Sequence, residues 1–226
     1  MSVKKVLGFL IVLVSSLGFF LATAEEPSQV SKEDEFAPIA GYNYEMIVPP
    51  QPTESKGKIE VVEVFWYGCP HCYHFEPILE KWLESKPDDV EFKRMPGVFR
   101  RSWVPHAKAY YAAQKLGILD KIHRPLFDAI HEYNKKLFSD EAVLDFITEL
   151  DDVDGDAFRK AFNAYSTESK VKQAMRLSRA YGIRGVPSMI INGKYWTSGS
   201  LAGSYEEMLK VVDALVDKER KKAAGK

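Results

Sequence analysis

The segment that most constrains the fold is residues 59–67, IEVVEVFWY, a run of β-branched and aromatic residues that is apolar on both faces. A strand with one face in water alternates apolar and polar side chains along its length. This run instead predicts a central strand that is buried on both sides, as in the sheet of an α/β protein. We therefore expect an α/β fold.

The chain's only two cysteines follow this strand directly, in the segment Cys69-Pro70-His71-Cys72. Because residues 75–85 have helical periodicity, the pair lies at a strand-to-helix junction, the usual place for a redox-active dithiol. Free N–H groups and the dipole at a helix N-terminus favour a thiolate at Cys69. Cys72 lies one turn further on and can close a short disulfide with it. His71 can add positive charge, and Pro70 stiffens the turn, so all four are candidate catalytic residues.

Other uses of the cysteine pair fit the sequence less well. A c-type haem site needs histidine directly after the second cysteine, where Tyr73 stands. A zinc site could combine the cysteines with His71 or His74, but no second cysteine pair completes four ligands. A purely structural disulfide across four residues constrains the unfolded chain little. We therefore expect redox chemistry with no metal and no bound organic cofactor.

The first 24 residues have the pattern of a secretory signal peptide. Two lysines precede the largely apolar run 6–21, and Ala22-Thr23-Ala24 is a small-residue cleavage site. An uncleaved membrane anchor is the alternative. Export places the cysteine pair where disulfides persist, so we expect the periplasm. Residues 25–41 begin with an acidic stretch and are predicted to be a flexible leader.

The middle of the chain, residues 101–181, has the periodicity of successive helices and separates two stretches of strand. The second stretch contains Ser188–Ile191 and the turn Asn192-Gly193, which favours a type I′ hairpin. Ser204 then has capping-box spacing to Glu207 and begins a final helix. The pattern predicts a helical domain inserted into an α/β unit.

Two segments resemble the signatures of the DsbA family of thiol:disulfide oxidoreductases: residues 63–76, EVFWYGCPHCYHFE, and residues 185–195, GVPSMIINGKY. The resemblance covers about residues 42–218 and includes the helical insertion. It implies a thioredoxin-like fold formed by residues 42–96 and 173–220. The inserted α-helical domain would be residues 97–172, with a basic tail at 221–226.

The resemblance also implies the activity. By this resemblance, the protein would donate its Cys69–Cys72 disulfide to reduced, unfolded exported proteins through a mixed disulfide at Cys69. A quinone-linked membrane partner of the DsbB type would then reoxidise it. We expect a monomer. The near balance of 31 Lys and Arg against 32 Asp and Glu gives no basis for binding nucleic acid.

The same resemblance assigns further site residues. A cis proline, Pro187, is expected to face the dithiol, and Val186 to offer its backbone to an extended substrate chain. Glu63 matches a buried acid beneath the dithiol, which should have a raised pKa. Either Lys93 or Arg94 could be its partner.

Three other activities share parts of this pattern. An exported reductase or isomerase would need the dithiol kept reduced, and a glutathione-dependent isomerase would need neither export nor both cysteines. A zinc-binding or chaperone module would retain its activity without thiol chemistry.

Glu76 also keeps two interpretations, as a second acid near the active site or as a solvated helix residue.

The cleavage site gives the first testable expectation. N-terminal sequencing of the exported protein should begin at or near Glu25, because cleavage follows the small residues Ala22 and Ala24. Recovery of Met1 from a washed membrane fraction would instead support the uncleaved anchor.

Overall fold

A computed structural model describes residues 36–225. The predicted signal peptide and residues 25–35 of the predicted leader lie outside the described residues. Within 36–225, no helix has both the length and the apolar composition that crossing a membrane requires.

The chain forms one five-stranded sheet with the strand order β1-β5-β4-β2-β3. The strands are β1 (Glu45–Met46), β2 (Ile59–Phe65), β3 (Val90–Pro96), β4 (Ser188–Ile191) and β5 (Tyr195–Ser198). β2 pairs in parallel with β3 and antiparallel with β4. The predicted central strand is therefore confirmed.

Eight α-helices accompany the sheet in the described part of the chain. They are α1 (Pro70–Ser85), α2 (Val104–Leu116), α3 (Leu119–His131), α4 (Asp140–Thr148), α5 (Gly155–Phe162), α6 (Tyr165–Ala180), α7 (Gly199–Ala202) and α8 (Tyr205–Ala223). The short α7 and a 3-10 turn at Arg101–Trp103 have too few residues to show periodicity, and the sequence did not predict them. α6 crosses the boundary expected at 172/173, and α8 includes the first residues of the expected tail.

The two faces of the sheet pack against different helices. Val61 belongs to a core with Phe75 of α1 and Val212 of α8. Val62 belongs to a second core, which includes Phe127 and other residues of the helical insertion. Since neighbouring residues of a strand point to opposite faces, this arrangement covers both sides of β2. The α/β class and the inserted helical domain are confirmed.

The hairpin between β4 and β5 has the predicted turn. Asn192 and Gly193 both have positive φ, 51° and 63°, and the Lys194 N–H donates to the Ile191 carbonyl at 3.0 Å. The turn packs on the chain before β2, because Gln51 N–H donates to the Gly193 carbonyl at 2.8 Å. A Cβ at Gly193 would lie 2.1 Å from the Gln51 oxygen, so only glycine fits.

We expect Gly193→Ala to destabilise the fold by about 2 kcal/mol or more, measured as the free energy of unfolding in urea. The left-handed backbone alone costs an L-residue roughly 1–2 kcal/mol, and the contact with Gln51 adds to it. Gly57→Ala is the matched control, because Gly57 also has positive φ, 74°, but open space at its Cβ. Equal losses in the two variants would contradict the role of the close contact.

Candidate active site

The two cysteines lie at the beginning of α1, on the chain that leaves β2. Cys69 is the N-cap residue, and Pro70, which has no N–H to satisfy, takes the first helical position. The Cys69 N–H donates to the Trp66 carbonyl at 2.9 Å, which closes the connection to β2. Both cysteines are free thiols. Cys69 is 8% exposed and Cys72 is fully buried, so only Cys69 reaches the surface.

The surroundings of the two thiols push their pKa values in opposite directions. A hydrogen bond from the Cys72 thiol lowers the pKa of Cys69 to about 6 against the opposing effect of burial, and the backbone N–H groups of Cys72 and His71 and the His71 charge contribute further. Burial raises the pKa of Cys72 well above its ordinary value. Near neutral pH, the dithiol is therefore a thiolate at Cys69 and a thiol at Cys72.

The loop before β4 faces the dithiol. The Val186–Pro187 peptide bond is cis, as expected, and the Val186 carbonyl oxygen lies 3.4 Å from Cys69 Sγ. A cleft of about 690 Å³ extends from here. Val186, Pro187, Trp196 and Leu201 give it an apolar floor. His71 lies at its edge, with Nδ1 3.2 Å from the Tyr205 hydroxyl.

An aromatic stack is formed by Trp66, three residues before Cys69. The indoles of Trp66 and Trp103 are parallel, with ring centroids 4.1 Å apart, and Phe99 packs edge-on against Trp103. A Cβ at Gly68 would lie 2.3 Å from the Trp66 ring. Glycine before the nucleophilic cysteine therefore makes room for the stack.

A buried charge cluster lies beneath the dithiol. Arg94 donates from Nε to Glu63 at 3.0 Å and from Nη2 to Glu76 at 2.9 Å. Both carboxylates are almost fully buried, at 0% and 1% exposure. Arg94 is thus the partner of Glu63, whereas Lys93 binds Glu60 at 2.7 Å. The register explains the choice, since Glu63 pairs directly with Arg94 across β2 and β3.

The two carboxylates of this cluster differ in charge. Burial and the neighbouring Glu76 charge raise the pKa of Glu63, against the opposing effect of Arg94. Burial acts in the same direction on Glu76, but the contacts with His123 and Arg94 outweigh it and lower the pKa of Glu76. Glu63 is therefore the protonated acid and Glu76 the anion, so the interpretation of Glu76 as a solvated residue is wrong.

His123 is the site residue that the sequence did not indicate. Its Nε2 lies 3.2 Å from Glu76 Oε1, and its Nδ1 lies 2.8 Å from the Tyr67 hydroxyl. The available signal was its spacing: His123, Phe127 and His131 recur every four residues and so share one face of α3.

The remaining candidate ligands do not assemble. Among residues 36–225, no group of three or more His, Cys, Asp or Glu side chains is arranged to hold a metal ion. His74, which could have joined the cysteines at a zinc, is exposed at the surface of α1.

Comparisons with known proteins agree with this geometry. A family model described as a DSBA-like thioredoxin domain matches residues 94–205. The chain is 39% identical over 200 residues to the thiol:disulfide interchange protein DsbA of Pseudomonas aeruginosa, covering 88% of this chain and 93% of the relative. It is 38% identical over 205 residues to a DsbA of Burkholderia cepacia, covering 90% and 95% of the two chains.

Solved structures give the same result. A crystal structure of Pseudomonas aeruginosa DsbA matches with a TM-score of 0.78 and 41% identity, over 83% of this chain and 97% of that one. The oxidoreductase DsbA of Xylella fastidiosa matches with a TM-score of 0.75 and 34% identity, over 81% and 98% of the two chains.

Alkylation of the reduced protein should show a pH midpoint near 6, because the thiolate is the reacting species and the pKa of Cys69 is lowered to about 6. The folded pKa lies below the unfolded value, so ionisation stabilises the folded dithiol, and this contribution disappears as pH falls through 6. Unfolding of the reduced form should therefore become easier between pH 7 and 5, relative to the oxidised form.

Absorbance of the thiolate at 240 nm provides an independent measure, with Cys69→Ala as the blank. A midpoint near 9 would contradict the assigned asymmetry of the two thiols.

Proposed function

Because the chain belongs to the DsbA family of thiol:disulfide interchange proteins, we propose that it acts as an oxidant, donating the Cys69–Cys72 disulfide to reduced proteins exported to the periplasm. The chain is a thiol:disulfide oxidoreductase.

The observation that carries the proposal is the difference between the two sulfur atoms. Cys69 reaches the surface at the N-terminus of α1 and has a lowered pKa, whereas Cys72 is sealed beneath it. An incoming thiolate can approach only Cys69. A lowered pKa also makes Cys69 the better leaving group when the mixed disulfide is resolved.

The reaction then has two exchange steps. A substrate thiolate attacks Cys69 Sγ, the Cys69–Cys72 bond breaks, and Cys72 leaves with the electron pair and takes up a proton. A second substrate thiolate attacks the substrate sulfur of the mixed disulfide and releases Cys69 as a thiolate. The substrate gains a disulfide, and the dithiol holds the two electrons.

Stabilisation of the Cys69 thiolate supports the oxidising direction. Whatever stabilises the reduced form makes the disulfide a stronger oxidant, by about 1.4 kcal/mol for each unit by which the pKa of the thiol falls. A reductase instead needs its disulfide form to be stabilised relative to its dithiol form. The lowered pKa of Cys69 therefore favours disulfide donation.

We propose that Glu63 supplies the proton that Cys72 takes up. It is a buried acid with a raised pKa, and its charge, if present, would raise the pKa of Cys72 further. A neutral Glu63 can give its proton to the Cys72 thiolate without leaving an uncompensated charge on the sulfur.

The cleft beside Pro187 supports binding of an extended polypeptide. The Val186 carbonyl lies against Cys69, so a substrate strand pairing with the Val186 backbone would bring its cysteine to the nucleophile. The apolar floor suits side chains that a folded protein would bury. Reoxidation by a quinone-linked membrane partner of the DsbB type completes the proposed cycle.

Two cysteine variants test the assignment with a reduced peptide that contains two thiols. Cys69→Ala should abolish its oxidation, because no accessible sulfur remains. A mixed disulfide prepared between Cys72→Ala and a peptide with a single thiol should persist until a second thiol is added, because neither Cys72 nor a second peptide thiol is present to resolve it. Oxidation by Cys69→Ala at the wild-type rate would contradict the named nucleophile.

The oxidising direction has a separate test, the reduction potential in glutathione buffers. We expect it to lie well above the value of about −270 mV that is typical of thioredoxin. A potential near that value would contradict the oxidant and favour a reductase.

A further inference from the structure

The buried cluster contains two carboxylates and one guanidinium. Glu63 and Glu76 are each almost fully excluded from solvent, and a second uncompensated anion is costly in such a place. One proton is therefore shared between two acids. Arg94 does not determine which acid holds this proton, because Arg94 donates to both acids at nearly equal distances, 3.0 and 2.9 Å.

His123 contacts only one of the two acids. Its Nε2 and Glu76 Oε1 are 3.2 Å apart. Both atoms are buried and neither has a hydrogen-bond partner among the described residues, so this contact is the one that can satisfy both. At its other nitrogen, Nδ1 can accept from the Tyr67 hydroxyl at 2.8 Å. A carboxylate can only accept, so an imidazole with its proton on Nε2 fits both neighbours.

The other elements around the cluster supply no further cation. Tyr110 of α2 donates its hydroxyl to the Arg94 carbonyl at 3.0 Å, and Arg124 of α3 pairs with Asp128 at 2.8 Å. Cys72 of α1 is a neutral thiol. Within residues 36–225, only Arg94 and His123 bring a basic nitrogen within 4.0 Å of Glu63 or Glu76.

We propose that His123 is a positioning residue of the exchange reaction, which keeps the negative charge of the acid pair on Glu76 and the shared proton on Glu63. The inference rests on the proposed function, in which Glu63 supplies the proton for Cys72. The opposite directions of the Glu63 and Glu76 pKa values agree with this division of charge.

Whether Glu63 or Glu76 carries the negative charge determines the charge near the dithiol. With His123 present, Glu63 stays neutral. An ionised Glu63 would raise the pKa of Cys72 further. Without His123, Glu76 loses one of its two basic contacts and takes the proton, and Glu63 becomes the anion that Arg94 balances. A negative charge then lies beneath the sulfur atoms and disfavours the Cys69 thiolate.

His123→Leu tests this directly. We expect the pKa of Cys69 to rise by about one unit, the lower end of what a nearby charge produces. The glutathione equilibrium should move about tenfold towards a weaker oxidant, or about 30 mV. His123→Gln retains an N–H donor for Glu76 and should recover most of the loss.

Tyr67→Phe is the matched control. It removes the hydroxyl that contacts His123 Nδ1 and leaves the contact with Glu76, so the pKa of Cys69 and the glutathione equilibrium should stay within about twofold of wild type. If Tyr67→Phe and His123→Leu have equal effects, His123 acts by holding Tyr67, and the proposed control of charge is wrong.

Glu76→Gln provides a second route that does not depend on the folding of His123→Leu. Neutralising Glu76 leaves Arg94 to pair with an ionised Glu63, so the pKa of Cys69 should rise as in His123→Leu. An unchanged pKa of Cys69 in Glu76→Gln would overturn the inference.

Glu63→Gln separates the two proposals. If it leaves the exchange rate and its pH profile unchanged, the proton-donating role of Glu63 fails. If it changes them and His123→Leu has no effect on the pKa of Cys69, only the role of His123 fails. In the Glu63→Gln background, His123→Leu should no longer change the pKa of Cys69, because the remaining acid, Glu76, stays ionised against Arg94 with or without His123.

Discussion

The contact on which the site depends is the pair of hydrogen bonds that Arg94 donates to Glu63 and Glu76. These bonds join three elements, β2, β3 and α1, near Cys72, whose pKa an ionised Glu63 would raise. A buried pair of this kind adds little net stability, but loss of one partner leaves a buried charge without compensation. The three residues therefore act as a unit. Their register, with Glu63 opposite Arg94, fixes the position of the acid relative to Cys72.

The difference between the two thiols follows from the direction of α1. Its N-terminus lies at the surface, where Cys69 meets free N–H groups, and one turn of helix carries Cys72 into the core between sheet and insertion. A single helix thus provides a low pKa at one sulfur and a high pKa at the other. The groups that lower the pKa of Cys69 are the Cys72 thiol, the N–H groups of Cys72 and His71, and the His71 charge, and all of them lie within the motif. This is why so short a motif specifies so much of the chemistry.

Local patterns in the sequence predict much of this structure. The two-sided strand, the dithiol at the helix N-terminus, the Asn192-Gly193 turn and the Ser204 cap each depend on neighbouring residues. The partner of Glu63 could not be chosen in this way, because it depends on the register of two strands joined by a crossover helix. His123 is harder still, since its contact with Tyr67 spans 56 residues and arises only when the insertion folds onto the sheet.

Those long-range contacts give the insertion a part in the chemistry. His123 reaches the hydroxyl of Tyr67, and His131, two turns later in α3, donates to its carbonyl at 2.7 Å. One helix thus holds both ends of the residue that lies two positions before Cys69. The same helix places the His123 imidazole 3.2 Å from Glu76, so α3 contacts both the chain that leads to Cys69 and the buried charge cluster. The helical domain therefore supports the segment that carries Cys69, in addition to covering one face of the sheet.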